Sequence, residues 1–177
     1  DTTSVLDTKR QTVKYDNIKL DLMKGKDKTT LVSYDNLSGK IKLWDLSTHK
    51  TTGSIPVSKA SVASDLEVSP NPKYVAVLFK NRIEVFVNGK PYKTITDVQQ
   101  SLKRISWNPD GSNLAYIDKD HNIVYYKMGS GSKKVIVEGT KEEFSPSEMI
   151  ELHEKGHWAV TGNKAYDNRF YPVELKY

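Results

Sequence analysis

The sequence predicts an all-β protein in which a unit of about forty residues is repeated four times. Each unit contains one β-prone phrase, which reads Ser-Gly-Lys-Ile-Lys-Leu-Trp-Asp-Leu in the first copy. The four phrases occupy residues 38–46, 81–87, 121–127 and 168–173, of which the last is the weakest. Trp44, Phe86 and Tyr126 follow one another at spacings of 42 and 40 residues, and Val173 comes 47 residues later. A period of this length built from short strands is typical of the blades of a β-propeller.

The second unit divides most clearly into four strands, which we call a to d in chain order. Alternating side chains in 65–68 indicate an inner strand a. Residues 74–79 are nearly all apolar, as expected for a strand b buried on both faces. After strand c at 83–87, the dipeptide Asn88-Gly89 predicts a hairpin into strand d, because both residues tolerate positive φ. The unit therefore predicts a four-stranded antiparallel sheet.

The other units can be divided in the same way. In the third, Asn108-Pro109-Asp110-Gly111 predicts the turn between strands a and b, since Pro fixes φ and Gly supplies positive φ. The predicted blades cover approximately residues 17–55, 63–95, 102–137 and 147–177, and residues 4–14 form a partial blade.

The two ends of the sequence suggest how the ring is built. Residues 4–13 read as a strand c and a strand d, and the last copy ends near its strand c. We therefore expect an N-terminal strand to complete the last blade. Because rings of four blades are at the low end of the known range, we expect residues 1–177 to be a single propeller, part of a larger ring.

Composition limits the class of protein. A chain of 177 residues is long enough for one domain with a buried core. The sequence has no apolar run of about eighteen residues, so we expect no membrane insertion. It has no cysteine, which excludes disulfides and thiolate zinc sites. This composition fits a cytoplasmic protein, although a bacterial envelope protein or a secreted one stays open because the chain begins at Asp1.

The net charge of +5 comes mainly from lysines that are spread along the chain. Nucleic-acid binders concentrate Arg and Lys on one face to neutralise phosphates. Here the sequence has four arginines, and acidic residues interrupt the lysines. The charge pattern therefore favours a solvated surface, and nucleic-acid binding is not predicted.

Two phrases resemble WD-repeat proteins. The segment Gly39–Leu46 resembles the end of a WD repeat, and Trp107–Ala115 resembles the strand-turn-strand phrase within it. The Trp-Asp pair occurs in one copy only, at Trp44-Asp45, so the blades are expected to be degenerate. The resemblance implies a β-propeller that acts as a non-catalytic scaffold, binds other proteins through its blade loops and needs no cofactor.

The candidate binding residues are those in the loops that emerge at one end of such a ring, between strands b and c and between strand d and the next strand a. These residues are Asp35, Asn36, Lys80, Asn81, Gln99, Gln100, Asp118, Lys119, Asp120 and His121. We expect them to supply polar contacts at the rim of a protein interface.

Two alternatives remain from the sequence. His153-Glu154-Lys155-Gly156-His157 matches the zinc-protease signature, in which a helix places both histidines on the metal and Glu154 acts as general base. In the repeat, however, residues 153–156 align with the turn at 108–111, which favours a coincidental match over a zinc-dependent metallohydrolase. The other alternative is an envelope or secreted propeller that senses a small-molecule ligand.

Overall fold

The computed structural model describes residues 2–6, 12–16, 18–100, 102–138, 150–152, 158–160, 164–166 and 172–173. Every regular element in these ranges is a β-strand. The strands form four four-stranded antiparallel sheets and one two-stranded sheet in this part of the chain. The all-β prediction is therefore confirmed for the residues described.

Each four-stranded sheet consists of four strands that are consecutive in the chain. The two-stranded sheet contains β1 (Thr2–Leu6) and β2 (Thr12–Asp16). The first four-stranded sheet contains β3 (Lys19–Lys24), β4 (Thr29–Asp35), β5 (Lys40–Asp45) and β6 (Lys50–Pro56). The second contains β7 (Ala63–Val68), β8 (Tyr74–Phe79), β9 (Ile83–Val87) and β10 (Lys90–Ile95). The third contains β11 (Ser106–Trp107), β12 (Asn113–Ile117), β13 (Ile123–Lys127) and β14 (Lys133–Val137). The fourth contains β15 (Ile150–Leu152), β16 (Trp158–Val160), β17 (Lys164–Tyr166) and β18 (Pro172–Val173).

The four sheets share one pairing register. In the second sheet, Val68, Val75, Phe86 and Pro91 lie opposite one another across strands a to d. The equivalent rows are Leu22, Leu31, Trp44 and Thr51 in the first sheet, Trp107, Leu114, Tyr126 and Lys133 in the third, and Leu152, Trp158, Tyr166 and Pro172 in the fourth. The repeat seen in the sequence is therefore a repeat of strand pairing.

The fourth sheet corrects two predictions. Strand c is β17, not residues 168–173, and Pro172 belongs to strand d. Tyr166 then takes the place of Tyr126 at a spacing of 40 residues. An edge strand tolerates Pro because its missing N–H faces away from the neighbouring strand. Among the described strands, the fourth sheet contains four strands of its own and β1 pairs with β2, so the expected N-terminal strand does not join the last blade there.

The core lies between neighbouring sheets. Strand β8 is buried on both faces, as predicted: Val75, Val77 and Phe79 pack towards the first sheet. Tyr74, Ala76 and Leu78 pack towards the third. An aromatic contact lies at each interface. Between the first and second sheets, the rings of Tyr34 and Phe79 meet edge-on with their centroids 5.5 Å apart. Tyr74 stacks on Trp107 at 5.4 Å. The d strands lie outside and are largely exposed.

Side chains also join the sheets along their inner strands. Asp21 Oδ2 accepts a hydrogen bond from the Val68 N–H at 2.8 Å, and Asp65 Oδ2 accepts one from the Ile105 N–H at 3.0 Å. Strand a is the edge of its sheet, so these N–H groups have no strand partner on that side.

Two carboxyl groups share the same face of β7. Desolvation and, after it, the nearby charges of Asp65 and Asp21 raise the pKa of Glu67 to about 9. Burial likewise raises the pKa of Asp65, although a bond from the Ile105 N–H opposes the shift. The Arg104 charge lowers the pKa of both groups. The interaction between the two carboxyl groups raises the pKa of Glu67 and lowers that of Asp65.

We expect stability to fall more steeply with rising pH in the wild type than in Glu67→Gln. A raised pKa in the folded state gives stability that is complete below the unfolded value of 4.5 and is lost as the pH rises towards 9. The amide that this substitution introduces keeps the shape of the acid and can still donate to Asp65. Thermal unfolding at about pH 5 and about pH 8 measures the difference. The exposed control Glu138→Gln should follow the wild type, and a parallel pH dependence in all three proteins would refute the raised pKa of Glu67.

Candidate functional site

The ten candidate residues lie at one end of the sheets. The strand order brings three b–c loops to this end, at residues 36–39, 80–82 and 118–122, together with two d–a connections, at 57–62 and 96–105. We call this side the loop end. The a–b turns and c–d hairpins lie at the opposite side, the turn end. The predicted grouping of the candidates follows directly from this topology.

The b–c turn of the first sheet is shaped by Asp35. Its Oδ1 accepts from the Ser38 N–H at 2.8 Å, and its Oδ2 accepts from the Ser38 hydroxyl at 2.9 Å. Gly39 closes the turn with φ of 63°. A Cβ at Gly39 would lie 2.7 Å from the Ala60 Cβ, so glycine is needed where the turn approaches the d–a connection. Asn36 is half-buried in this turn, and its Oδ1 has no hydrogen-bond partner among the described residues.

Arg82 fastens the d–a connection between the first two sheets. Its Nη2 donates to the Lys59 carbonyl at 2.6 Å, and its Nε donates to Glu84 Oε2 at 2.9 Å. The other oxygen of Glu84 accepts from the Ser58 N–H at 3.0 Å. The guanidinium lies 4.0 Å above the centroid of the Phe79 ring. A largely buried ion pair therefore holds a loop that has no strand of its own.

Tyr34 also holds the same connection in place by hydrogen bonds. Its hydroxyl donates to the Ser61 carbonyl at 2.6 Å and accepts from the Ser61 N–H at 3.2 Å. Burial of the ring raises the pKa of Tyr34 above its ordinary value. The neutral hydroxyl can therefore act as donor and acceptor at once.

Asp118 is the anchor of the third b–c loop. It is 1% exposed, and its Oδ1 accepts from the N–H groups of Asp120 at 3.0 Å and Asn122 at 2.9 Å. Its Oδ2 accepts from Lys133 Nζ at 3.1 Å. Val98 and Asp118 also form an isolated β-bridge, which ties the loop to the d–a connection. The side chain is directed into the protein.

Lys133 links this loop to the connection that precedes it. The Lys133 ammonium donates to Asp97 as well as to Asp118, and the Tyr116 hydroxyl donates to Asp97 Oδ1 at 2.8 Å. Burial alone would lower the pKa of Lys133, but the bonds to the two carboxylates raise it above its ordinary value. The lysine is therefore a structural cation.

Gln99 and His121 meet behind the same loop. Gln99 Nε2 lies 2.8 Å from His121 Nδ1, and Gln99 is buried. The Gln99 N–H donates to the Ile117 carbonyl at 2.9 Å, and the His121 N–H donates to the Asp118 carbonyl at 3.0 Å. His121 adopts a left-handed φ of 65°, as suits the end of a tight turn. This pair therefore supports the third b–c loop from its buried side.

The candidates thus divide into two kinds. Those with exposed side chains are Lys80, Asn81, Gln100, Lys119 and Asp120, whereas Asp35, Asn36 and His121 are half-buried. The expectation of exposed rim contacts needs correction for Gln99 and Asp118, because both are buried and both bond within the protein. Sequence reasoning also missed Leu37, which is 77% exposed in the first b–c turn. An apolar residue inside a turn of polar residues was the available signal.

The zinc motif at 153–157 lies outside the described residues. Strands flank it on both sides, with Leu152 paired opposite Trp158, as Val68 pairs opposite Val75 around the second a–b turn. Residues 150–152 and 158–160 are therefore β-strands, and no helix extends through them. Among the described residues, no group of three metal-ligating side chains is placed to hold an ion, and no helix is long and apolar enough to cross a membrane.

A shallow, open groove of about 400 Å³ is lined by strand residues of the first sheet. It runs over the outer strands of the first sheet and is lined by Lys40, Lys42, Thr51, Thr52, Gly53 and Ser54. Small-molecule sites are usually concave and apolar, with few polar groups. This polar surface gives no support to the ligand-sensing alternative.

We expect Asp118→Ala to lower the free energy of unfolding by about 2–4 kcal/mol. The substitution removes the acceptor of two backbone N–H groups and leaves Lys133 with one partner fewer. Urea unfolding measures the loss. Asp120→Ala is the matched control, since Asp120 is exposed in the same loop, and it should change the free energy by less than about 0.5 kcal/mol. Equal effects at the two positions would show that Asp118 does not anchor the loop.

Comparison with known proteins supports the fold alone. No protein-family model and no curated protein matches this sequence. The crystal structure of the β-propeller domain of Myceliophteria thermophila Cps50 (Swd1) matches with a TM-score of 0.63 at 14% sequence identity. The match covers 85% of this chain and 55% of that chain, so this chain spans about half the length of that domain. The chain has a β-propeller fold, and the predicted resemblance to WD-repeat propellers is confirmed at the level of the fold.

Proposed function

We propose that this protein is a non-catalytic scaffold of the WD-repeat type that binds other proteins through its loop end. The observation that supports this most directly is that the loops at that end are fastened from inside while exposed side chains point outwards. Asp35, Arg82 and Asp118 hold their own loops or the adjacent connection by hydrogen bonds. A surface that is already ordered loses little conformational entropy when a partner binds.

The arrangement of charges also favours binding over catalysis at this end. Asp97, Asp118 and Lys133 bond to one another and to backbone groups, which fixes the loops. A catalytic acid or base needs a reacting group within hydrogen-bond reach in a cleft. In residues 18–138, these ionised groups instead meet at the junction of a loop and a connection.

Reversing two charges at the loop end should reduce partner binding. We expect Lys80→Glu with Lys119→Glu to lower the recovery of co-purified proteins by roughly tenfold, because rim charges control the association rate. Affinity purification from cell extract followed by mass spectrometry measures the recovery. The control is Lys50→Glu with Lys90→Glu, which makes the same charge change at two exposed hairpin lysines of the turn end. Loss of partners in the control alone would refute the assignment to the loop end.

We also infer that the 177 residues form one propeller segment and that a further blade covers the outer face of the first sheet. Leu22 is 42% exposed on this face, whereas the equivalent residue of the second sheet, Val68, is 8% exposed because it packs on the first sheet. Leu20 is exposed in the same way, and its equivalent Leu66 is buried. A neighbouring blade would bury both leucines.

Leu22→Asp should behave as a core substitution in the intact protein. We expect it to lower the free energy of unfolding by about 2–4 kcal/mol, because a blade that packs on this face would bury the new charge. Leu46→Asp is the matched control, since Leu46 is 44% exposed in a hairpin, and it should cost less than about 0.5 kcal/mol. Urea unfolding of both variants decides the question, and equally small effects would exclude a covering blade.

A further inference from the structure

An apolar patch lies at the loop end where the first and second sheets meet. Its apolar members are Leu37, Ala60 and Val62, and we call them the Leu37 patch. Leu37 is the most exposed large hydrophobic residue in the described part of the chain. Exposed apolar side chains that are rimmed by polar residues can mark a site of protein interaction.

The apolar members of the patch come from two loops that touch, and a third loop adjoins them. The b–c turn with Leu37 lies directly against the connection with Ala60 and Val62. A Cβ at Gly39 would be only 2.7 Å from the Ala60 Cβ, so the two loops can approach this closely only because residue 39 is glycine. The Val57 N–H donates to the Gly39 carbonyl at 3.2 Å, which ties the same two loops. Arg82 donates to the Lys59 carbonyl, so the second b–c loop adjoins the connection. The first b–c turn and the second b–c loop therefore both adjoin the connection that carries Ala60 and Val62.

The turn holds Leu37 in an exposed position. Both carboxylate oxygens of Asp35 bond to Ser38, on the other side of Leu37. Gly39 then takes the left-handed conformation that closes the turn. Leu37 cannot fold back onto the sheet without breaking these bonds. A partner that covers Leu37 would gain apolar burial without the cost of ordering the turn.

Lysines surround the patch. Lys40 follows the first turn, Lys59 lies in the connection and Lys80 lies in the second b–c loop, and all three are exposed. Within the described residues, none of the three forms an ion pair with an acidic side chain. Arg82 differs, because Glu84 neutralises it. The rim of the patch is therefore positive.

We infer that the Leu37 patch binds a protein segment in which an apolar side chain is flanked by Asp or Glu. This rests on the proposed function and adds the chemistry of the partner. The apolar side chain covers Leu37 and Val62, and the flanking carboxylates meet the lysines of the rim. A phosphate backbone would use the lysines but would leave the leucine and the valine exposed, so a protein partner fits better.

Selection from a library of short random peptides displayed on phage tests this chemistry. We expect the wild-type chain to enrich peptides with an apolar residue flanked by Asp or Glu. Leu37→Ser with Val62→Ser should weaken binding of the enriched peptides by roughly tenfold or more. Lys59→Glu with Lys80→Glu should weaken binding of the peptides that the wild type enriches, and should reverse the selected charge so that Lys and Arg flank the apolar residue.

The controls separate this inference from the proposed function. Leu46→Ser changes an exposed leucine at the turn end and should leave binding unchanged. Enrichment of peptides without acidic residues would overturn the inference alone. So would peptides whose binding is lost in Lys119→Glu but kept in Leu37→Ser with Val62→Ser, although binding at the loop end would stand. If selection enriches no peptides and affinity purification recovers no partners, both proposals fail. Unchanged thermal unfolding confirms that each variant is folded.

Discussion

The burial of strand β8 on both faces is the constraint on which the rest of the structure depends. Val75, Val77 and Phe79 fill one interface and Tyr74, Ala76 and Leu78 fill the other, so one strand fixes the positions of three sheets. Because side chains alternate along a strand, a register shift of one residue would exchange the two sets. Packing of sheets against sheets leaves only the ends of the strands for loops. The loop end exists because the apolar faces are already used.

The inner strands show how polar groups are handled inside this packing. An edge strand carries N–H groups that need an acceptor, and here Asp21 and Asp65 supply it from the preceding sheet. A carboxylate serves well, because it accepts strongly from several donors. The arrangement brings Glu67 close to both, and desolvation together with these charges raises the pKa of Glu67 to about 9. The bonds that satisfy the strand edges are therefore expected to make stability depend on pH.

Much of the fold could be predicted from the sequence because its signals are local. Asn88-Gly89 forms the expected hairpin, and the apolar run of β8 is buried as expected. The roles of loop residues were less predictable, because they depend on partners far away in the chain. Asp118 is held by Lys133, fifteen positions on, and a polar residue in a loop otherwise reads as exposed. The last strand c was misplaced for a related reason: its three residues carry too little pattern to outweigh a longer apolar phrase nearby.

The hydrogen bonds that bury Asp118 and hold Asp35 in its turn also determine which loop side chains stay exposed. Asp35 and Asp118 accept two hydrogen bonds or more from their own loops, so each loop keeps one shape without a partner. A loop without such bonds could cover an apolar side chain by collapsing onto the sheet, since burial of apolar surface is favourable. Leu37 cannot be covered in this way, because the hydrogen bonds between Asp35 and Ser38 fix the turn around it. The hydrogen bonds within the loop therefore keep an apolar side chain exposed in a fixed position. Burial of this side chain by a partner would supply binding free energy that does not depend on salt, which the polar candidates could not do.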